Sequence, residues 1–107
     1  MNGEDQKFEI YFVTKVTLRR VRVFKLSPKY ARIVIDNFKF YREKYHIKIY
    51  GYVIMPDHYH LIVDTLGRVS IAKFKEDMNK YIARCIIQDL KIHHPEILNR
   101  LAVEVKP

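Results

Sequence analysis

Apolar positions along this chain recur with two periods, and the change of period divides it into elements. From Phe8 to Thr17 the chain is rich in β-branched and aromatic residues, with Phe8, Ile10 and Phe12 on one parity and Tyr11, Val13 and Lys15 on the other, which predicts a strand. The basic stretch after it, to about Leu26, reads as a loop or a continued edge strand. At Ser27-Pro28 the period becomes helical: serine suits the N-cap and proline the first helical position. Tyr30, Ile33, Val34, Phe38, Tyr41 and Tyr45 then form one apolar stripe at three- and four-residue spacing, predicting a helix to about Lys44.

The period returns to two from His46 to about Met55, with Ile47, Ile49, Val53 and Met55 on one parity and Lys48, Tyr50 and Tyr52 on the other. Pro56-Asp57 is a turn signal. The strand after it, His58 to Val63, returns as the second arm of an antiparallel hairpin, and Gly67 breaks the chain beyond it. Ser70 caps a second long helix running to about Leu90, whose stripe is Ile71, Phe74, Met78, Ile82, Cys85 and Ile86. A short helix is expected around Glu96 to Leu101, followed by a tail. The order strand, helix, strand, strand, helix predicts a ferredoxin-like, RNA-recognition-type α+β sandwich with helices on one face of an antiparallel sheet, its last strand missing. Parity then assigns His58, His60, Tyr50, Tyr52 and Tyr11 to the open face, where aromatic rings would stack on unpaired bases or meet a partner subunit.

At 107 residues the chain is expected to form a single domain, residues 1–107. No apolar run approaches the roughly 18 residues of a membrane span, and the polar N-terminus is not a secretory signal. The one cysteine, Cys85, falls on an apolar stripe and reads as a buried thiol, so a reducing, cytoplasmic setting is expected. Charge changes the picture more. The net charge is +8, and Lys15, Arg19, Arg20, Arg22, Lys25, Lys29 and Arg32 follow one another with no acid among them. Such a cluster points to a polyanionic partner. Lys73, Lys80 and Arg84 add a second basic face on the later helix. Lys15, Arg19, Arg20, Arg22, Lys73, Lys80 and Arg84 are therefore the expected contacts to a nucleic acid.

The candidate chemistry lies in Asp57-His58-Tyr59-His60. Histidines one residue apart on a strand share a face, and two neighbouring imidazoles make half of a metal site. Asp64 has the same parity but lies about 13 Å along an extended strand from His60, too far for the same ion.

Gly51-Tyr52-Val53-Ile54-Met55-Pro56-Asp57-His58-Tyr59-His60-Leu61-Ile62-Val63 resembles the signature of the single-tyrosine HUH transposases, which comprise the insertion-sequence-200-like and REP-associated tyrosine transposases. The likeness extends more loosely to Phe12-Val13-Thr14 and to Ile71, Phe74, Met78, Asn79, Lys80 and Tyr81. The resemblance implies dimers that recognise single-stranded or hairpin DNA. It implies that His58 and His60 hold Mg2+ or Mn2+ on the scissile phosphate, and that a tyrosine attacks to give a 5′-phosphotyrosine and a free 3′-hydroxyl. Asp57 stands at the family's Asn/Asp position and reads as a turn residue rather than a ligand.

The family's tyrosine-bearing segment, preceded by a tryptophan, has no counterpart here, and the chain matches the N-terminal portion of the family domain. A truncated, inactive remnant is one expectation. Tyr81-Ile82 begins like the tyrosine motif, but Cys85 stands where an amide ligand belongs, so Tyr81 reads as packing with a nucleophilic role left open. Two other readings also stay open: a non-catalytic single-stranded nucleic-acid-binding module, and a small interaction domain whose open sheet is a dimer interface.

Overall fold

The structure, a computed structural model, describes residues 9–102; Phe8 and the tail beyond Ala102 lie outside them. Three strands, β1 (Ile10–Val16), β2 (Lys48–Met55) and β3 (His58–Asp64), form one antiparallel sheet in the order β1-β3-β2. The histidine strand is therefore central. Four helices, α1 (Val23–Leu26), α2 (Pro28–Tyr45), α3 (Ile71–His93) and α4 (Pro95–Ala102), complete the α+β sandwich.

The two long helices start where their caps predict. Ser27 Oγ accepts from the Lys29 backbone N–H at 3.4 Å with Pro28 in the first turn, and Ser70 Oγ accepts from the Lys73 N–H at 3.0 Å. α2 ends on His46 in the left-handed conformation, φ 54°. The apolar stripes of both helices meet the sheet face carrying Val13, Tyr59, Leu61 and Val63, and Val34, Phe38, Tyr41, Phe74, Met78 and Ile82 close the main core over it. The period-two alternation of β3 thus buries Tyr59, Leu61 and Val63 and turns His58 and His60 the other way.

The tyrosines expected on the open face are not there. Tyr11 pairs with Val63 and packs on the core, and Tyr52 pairs with Leu61, its ring 5.5 Å from that of Phe38 on α2. A β-bulge between Ile49 and Gly51 is the cause in β2: Tyr50 is the extra residue, and beyond it the parity inverts. Val53 and Met55, expected on the buried parity, now lie beside His60 and His58, and both are exposed. Tyr50 lines a groove with Lys39 and Arg42 of α2. In β1, Ile10 and Phe12 take the open face instead, and Phe12 is 81% exposed.

The basic stretch after β1 is neither loop nor strand. Leu18–Arg20 forms a 3-10 turn in which Arg19 and Arg20 both have positive φ, 58° and 53°, and α1 follows. A second core holds this segment down: Val21 and Val23 pack with Tyr30 of α2, Leu90 of α3 and Ile97 of α4. α4 is thus the clamp that gives the basic segment a fixed shape.

Candidate functional site

Met55 pairs with His58, so Pro56-Asp57 is a two-residue connection, and the histidines open the return strand directly after it. The basic segment grips this tip through its backbone. Thr17 N–H donates to the Asp57 carbonyl at 2.9 Å, and Phe24 N–H donates to the Pro56 carbonyl at 3.1 Å. β1 supplies the other flank, with Val16 opposite His58 and Thr14 opposite His60.

The two imidazoles lie with ring centroids 4.8 Å apart and planes nearly perpendicular. Each is held by its Nδ1. His58 Nδ1 is 2.7 Å from Asp57 Oδ1, and His60 Nδ1 is 2.9 Å from Thr14 Oγ1. Asp57 Oδ2 in turn meets Arg20 Nε at 3.2 Å. The hydrogen bond from His58 holds the Asp57 carboxyl below its ordinary pKa, and the Arg20 charge helps, against a desolvation that pushes the other way. An ionised carboxylate only accepts, so His58 Nδ1 is the donor in this bond, and in the neutral imidazole Nε2 is then the nitrogen that carries the lone pair. On His60, too, Nε2 is the nitrogen left without a protein partner among the described residues.

Two nitrogen donors on one face, each ring oriented by an outer partner, fit a first-row divalent cation or Mg2+ that takes its other ligands from oxygen. Among the described residues no group of three or more His, Cys, Asp or Glu side chains is placed to hold an ion. Asp64 is committed elsewhere: it is fully buried, and its Oδ1 accepts from the backbone N–H groups of Glu9 and Leu66, both at 2.9 Å.

The expected DNA contacts fall into two sets. Lys15, Arg19, Arg20 and Arg22 lie at the histidine end of the sheet, on β1 and the segment that grips the hairpin tip. Arg19 also lines a shallow hollow with Arg100 of α4, a residue the one-dimensional pattern did not single out. Lys73, Lys80 and Arg84 lie on α3, in the helical layer behind the sheet, where Lys73 pairs with Asp77 at 3.4 Å. Tyr81 is in that layer too, 48% exposed, its ring stacked on Phe40 of α2 with an interplanar angle of 12°. The structure therefore does not bring Tyr81 to the histidines of its own chain. Thr14, and Asp57 as a histidine partner, were missed by sequence reasoning; only the β1–β3 register and the folded tip reveal them.

No helix among the described residues is long and apolar enough to cross a membrane. No curated protein and no solved structure matches the chain. A family model described as "Transposase IS200 like" matches residues 6–101, a span that holds the sheet, the basic segment and both long helices. The matched span covers most of the chain and carries the paired histidines on its central strand, and this protein belongs to the IS200-like transposase family.

Proposed function

We propose that this transposase cleaves and rejoins single-stranded DNA, with His58 and His60 holding a Mg2+ or Mn2+ ion at the phosphate that reacts. The observation that carries the reading is the pair of imidazoles on an open sheet face, each fixed through Nδ1 so that Nε2 is left to bind. A bound ion would supply positive charge that polarises a phosphoryl oxygen. The chain's own residues do the rest. Thr14 and Asp57 orient the rings, and the segment from Lys15 to Arg22 gives a cationic approach for the DNA backbone. In the reaction the family resemblance implies, a tyrosine oxygen bonds to phosphorus as the 3′-oxygen leaves, and the later attack of a 3′-hydroxyl releases the tyrosine.

The stacking of Tyr81 on Phe40, away from the histidine face, supports leaving Tyr81 out of that step within one chain. Among the described residues β1 and β2 each present an edge with no strand partner, which supports the dimer the family resemblance implies. The test is incubation with labelled hairpin-bearing single-stranded DNA and Mn2+. A covalent protein–DNA adduct that is lost when His58 and His60 are both changed to Ala is expected, and its loss or persistence in Tyr81→Phe decides whether Tyr81 is the attacking residue. DNA binding without an adduct, unaltered by the double histidine change, would replace this reading with a non-catalytic binding module.

A further inference from the structure

We infer that Asp57 and Arg20 are positioning residues for His58: Asp57 sets which imidazole nitrogen faces outward, and Arg20 sets Asp57. The inference rests on the reading of His58 and His60 as the ligands of the ion. It goes beyond that reading because it gives the turn carboxylate and one arginine of the basic cluster a specific task. The Asp57 carboxylate is divided between two partners, Oδ1 on His58 Nδ1 at 2.7 Å and Oδ2 on Arg20 Nε at 3.2 Å. With both oxygens engaged, its torsional freedom is restricted, and so is the rotation of the imidazole it accepts from.

The backbone is built to deliver Arg20 to this place. Arg19 and Arg20 are consecutive non-glycine residues at positive φ, a conformation that persists only where the surroundings impose it. Here they do. Arg20 N–H donates to the Thr17 carbonyl at 3.0 Å, Thr17 Oγ1 donates to the Val21 carbonyl at 2.7 Å, and Val21 is anchored in the second core. Thr17 N–H meanwhile bonds the Asp57 carbonyl, so the same turn fixes both ends of the Arg20–Asp57 pair. The Arg20 side chain is 65% exposed, and an exposed ion pair adds little to stability. Orientation of the carboxylate is what this geometry accomplishes.

The test uses the full chain. First, 15N-histidine NMR of metal-free protein at pH 8 reads the tautomer of His58. Wild type is expected to hold the proton on Nδ1. Asp57→Ala should shift it toward Nε2, and Arg20→Gly should shift it in the same direction by less, since glycine keeps the left-handed backbone while removing the guanidinium. Second, calorimetric titration with Mn2+ should show affinity weakened about 10–100-fold by Asp57→Ala, the usual effect of losing an outer partner of a ligating histidine. Arg20→Gly should weaken it several-fold, and the double variant should be no weaker than Asp57→Ala alone, because Arg20 acts through Asp57. An unchanged His58 tautomer in Asp57→Ala, or an Arg20→Gly effect that adds in full to that of Asp57→Ala, would overturn the inference. If wild type binds no Mn2+, the metal reading fails, while the metal-free tautomers still decide the relay from Arg20 to His58.

Discussion

Phe12 and Val13 are neighbours on β1 with opposite fates, and they give the sharpest check on which face of the sheet is open. Val13 is 3% exposed in the main core, whereas Phe12 is 81% exposed beside Ile62 on the histidine face. Val13→Ala removes two buried carbons, about 1.6 kcal/mol at about 0.8 kcal/mol per buried CH2. The cavity left behind raises this to about 2–3 kcal/mol. Phe12→Thr removes a ring of which only a fifth is covered. Against about 3 kcal/mol for complete burial, that is about 0.6 kcal/mol or less, and threonine keeps the strand preference. Thermal unfolding followed by far-ultraviolet circular dichroism, at two protein concentrations, measures both. Val13→Ala should lower the melting temperature by about 8–24 °C and Phe12→Thr by less than about 5 °C, using the usual 4–8 °C per kcal/mol for a domain of this size. If Phe12→Thr costs as much as Val13→Ala, the histidine face is covered in solution and cannot be the side from which DNA reaches the metal site.

Three further outcomes are expected. Tyr59→Phe should cost about 1 kcal/mol, because its buried hydroxyl donates to Asn79 Oδ1 at 2.5 Å; in Asn79→Ala protein the same change should cost much less, as a double-mutant cycle by urea unfolding would show. Thr14→Val keeps the shape of the side chain but removes the partner of His60 Nδ1, and should weaken Mn2+ binding about 10-fold in a calorimetric titration; unchanged affinity would exclude Thr14 from orienting that ring. Asp77 and Asp89 are both held below the ordinary carboxylate value of 3.8, Asp77 first by the Tyr45 hydroxyl and Asp89 first by Lys29 and then Tyr30. A depressed folded pKa contributes stability that is present above the unfolded value and lost as pH falls through the folded one. Unfolding midpoints should therefore drop below about pH 4, and Asp89→Asn should flatten that part of the profile; a profile identical to wild type would contradict the Lys29–Asp89–Tyr30 contact.

Much of the architecture was determined by the chain's local pattern. Ser27-Pro28 and Ser70 start the helices because a capping oxygen acts within its own turn. The stripes through Phe38 and Phe74 chose the faces those helices bury, and Pro56-Asp57 with His58 and His60 already contained the hairpin, the shared face of the imidazoles and the family. These features depend on residues a few positions apart, and a period of two or of three to four reads such neighbours directly.

What the tertiary structure alone decided depends on residues distant in sequence or on a single break of period. Parity counting assumes an unbroken pleat. One extra residue at Tyr50 inverts everything after it, which sends Tyr52 to Phe38 and brings Val53 and Met55 beside the histidines. β1 is apolar on both parities, so its pattern did not distinguish Tyr11 from Phe12; pairing with β3, whose buried set is unambiguous, settled it. Thr14 meets His60 across 46 positions of sequence, and Arg20 reaches Asp57 only because α4 and the end of α3 pack on Val21 and Val23. The sequence placed two imidazoles side by side; long-range packing determined which nitrogen each of them presents.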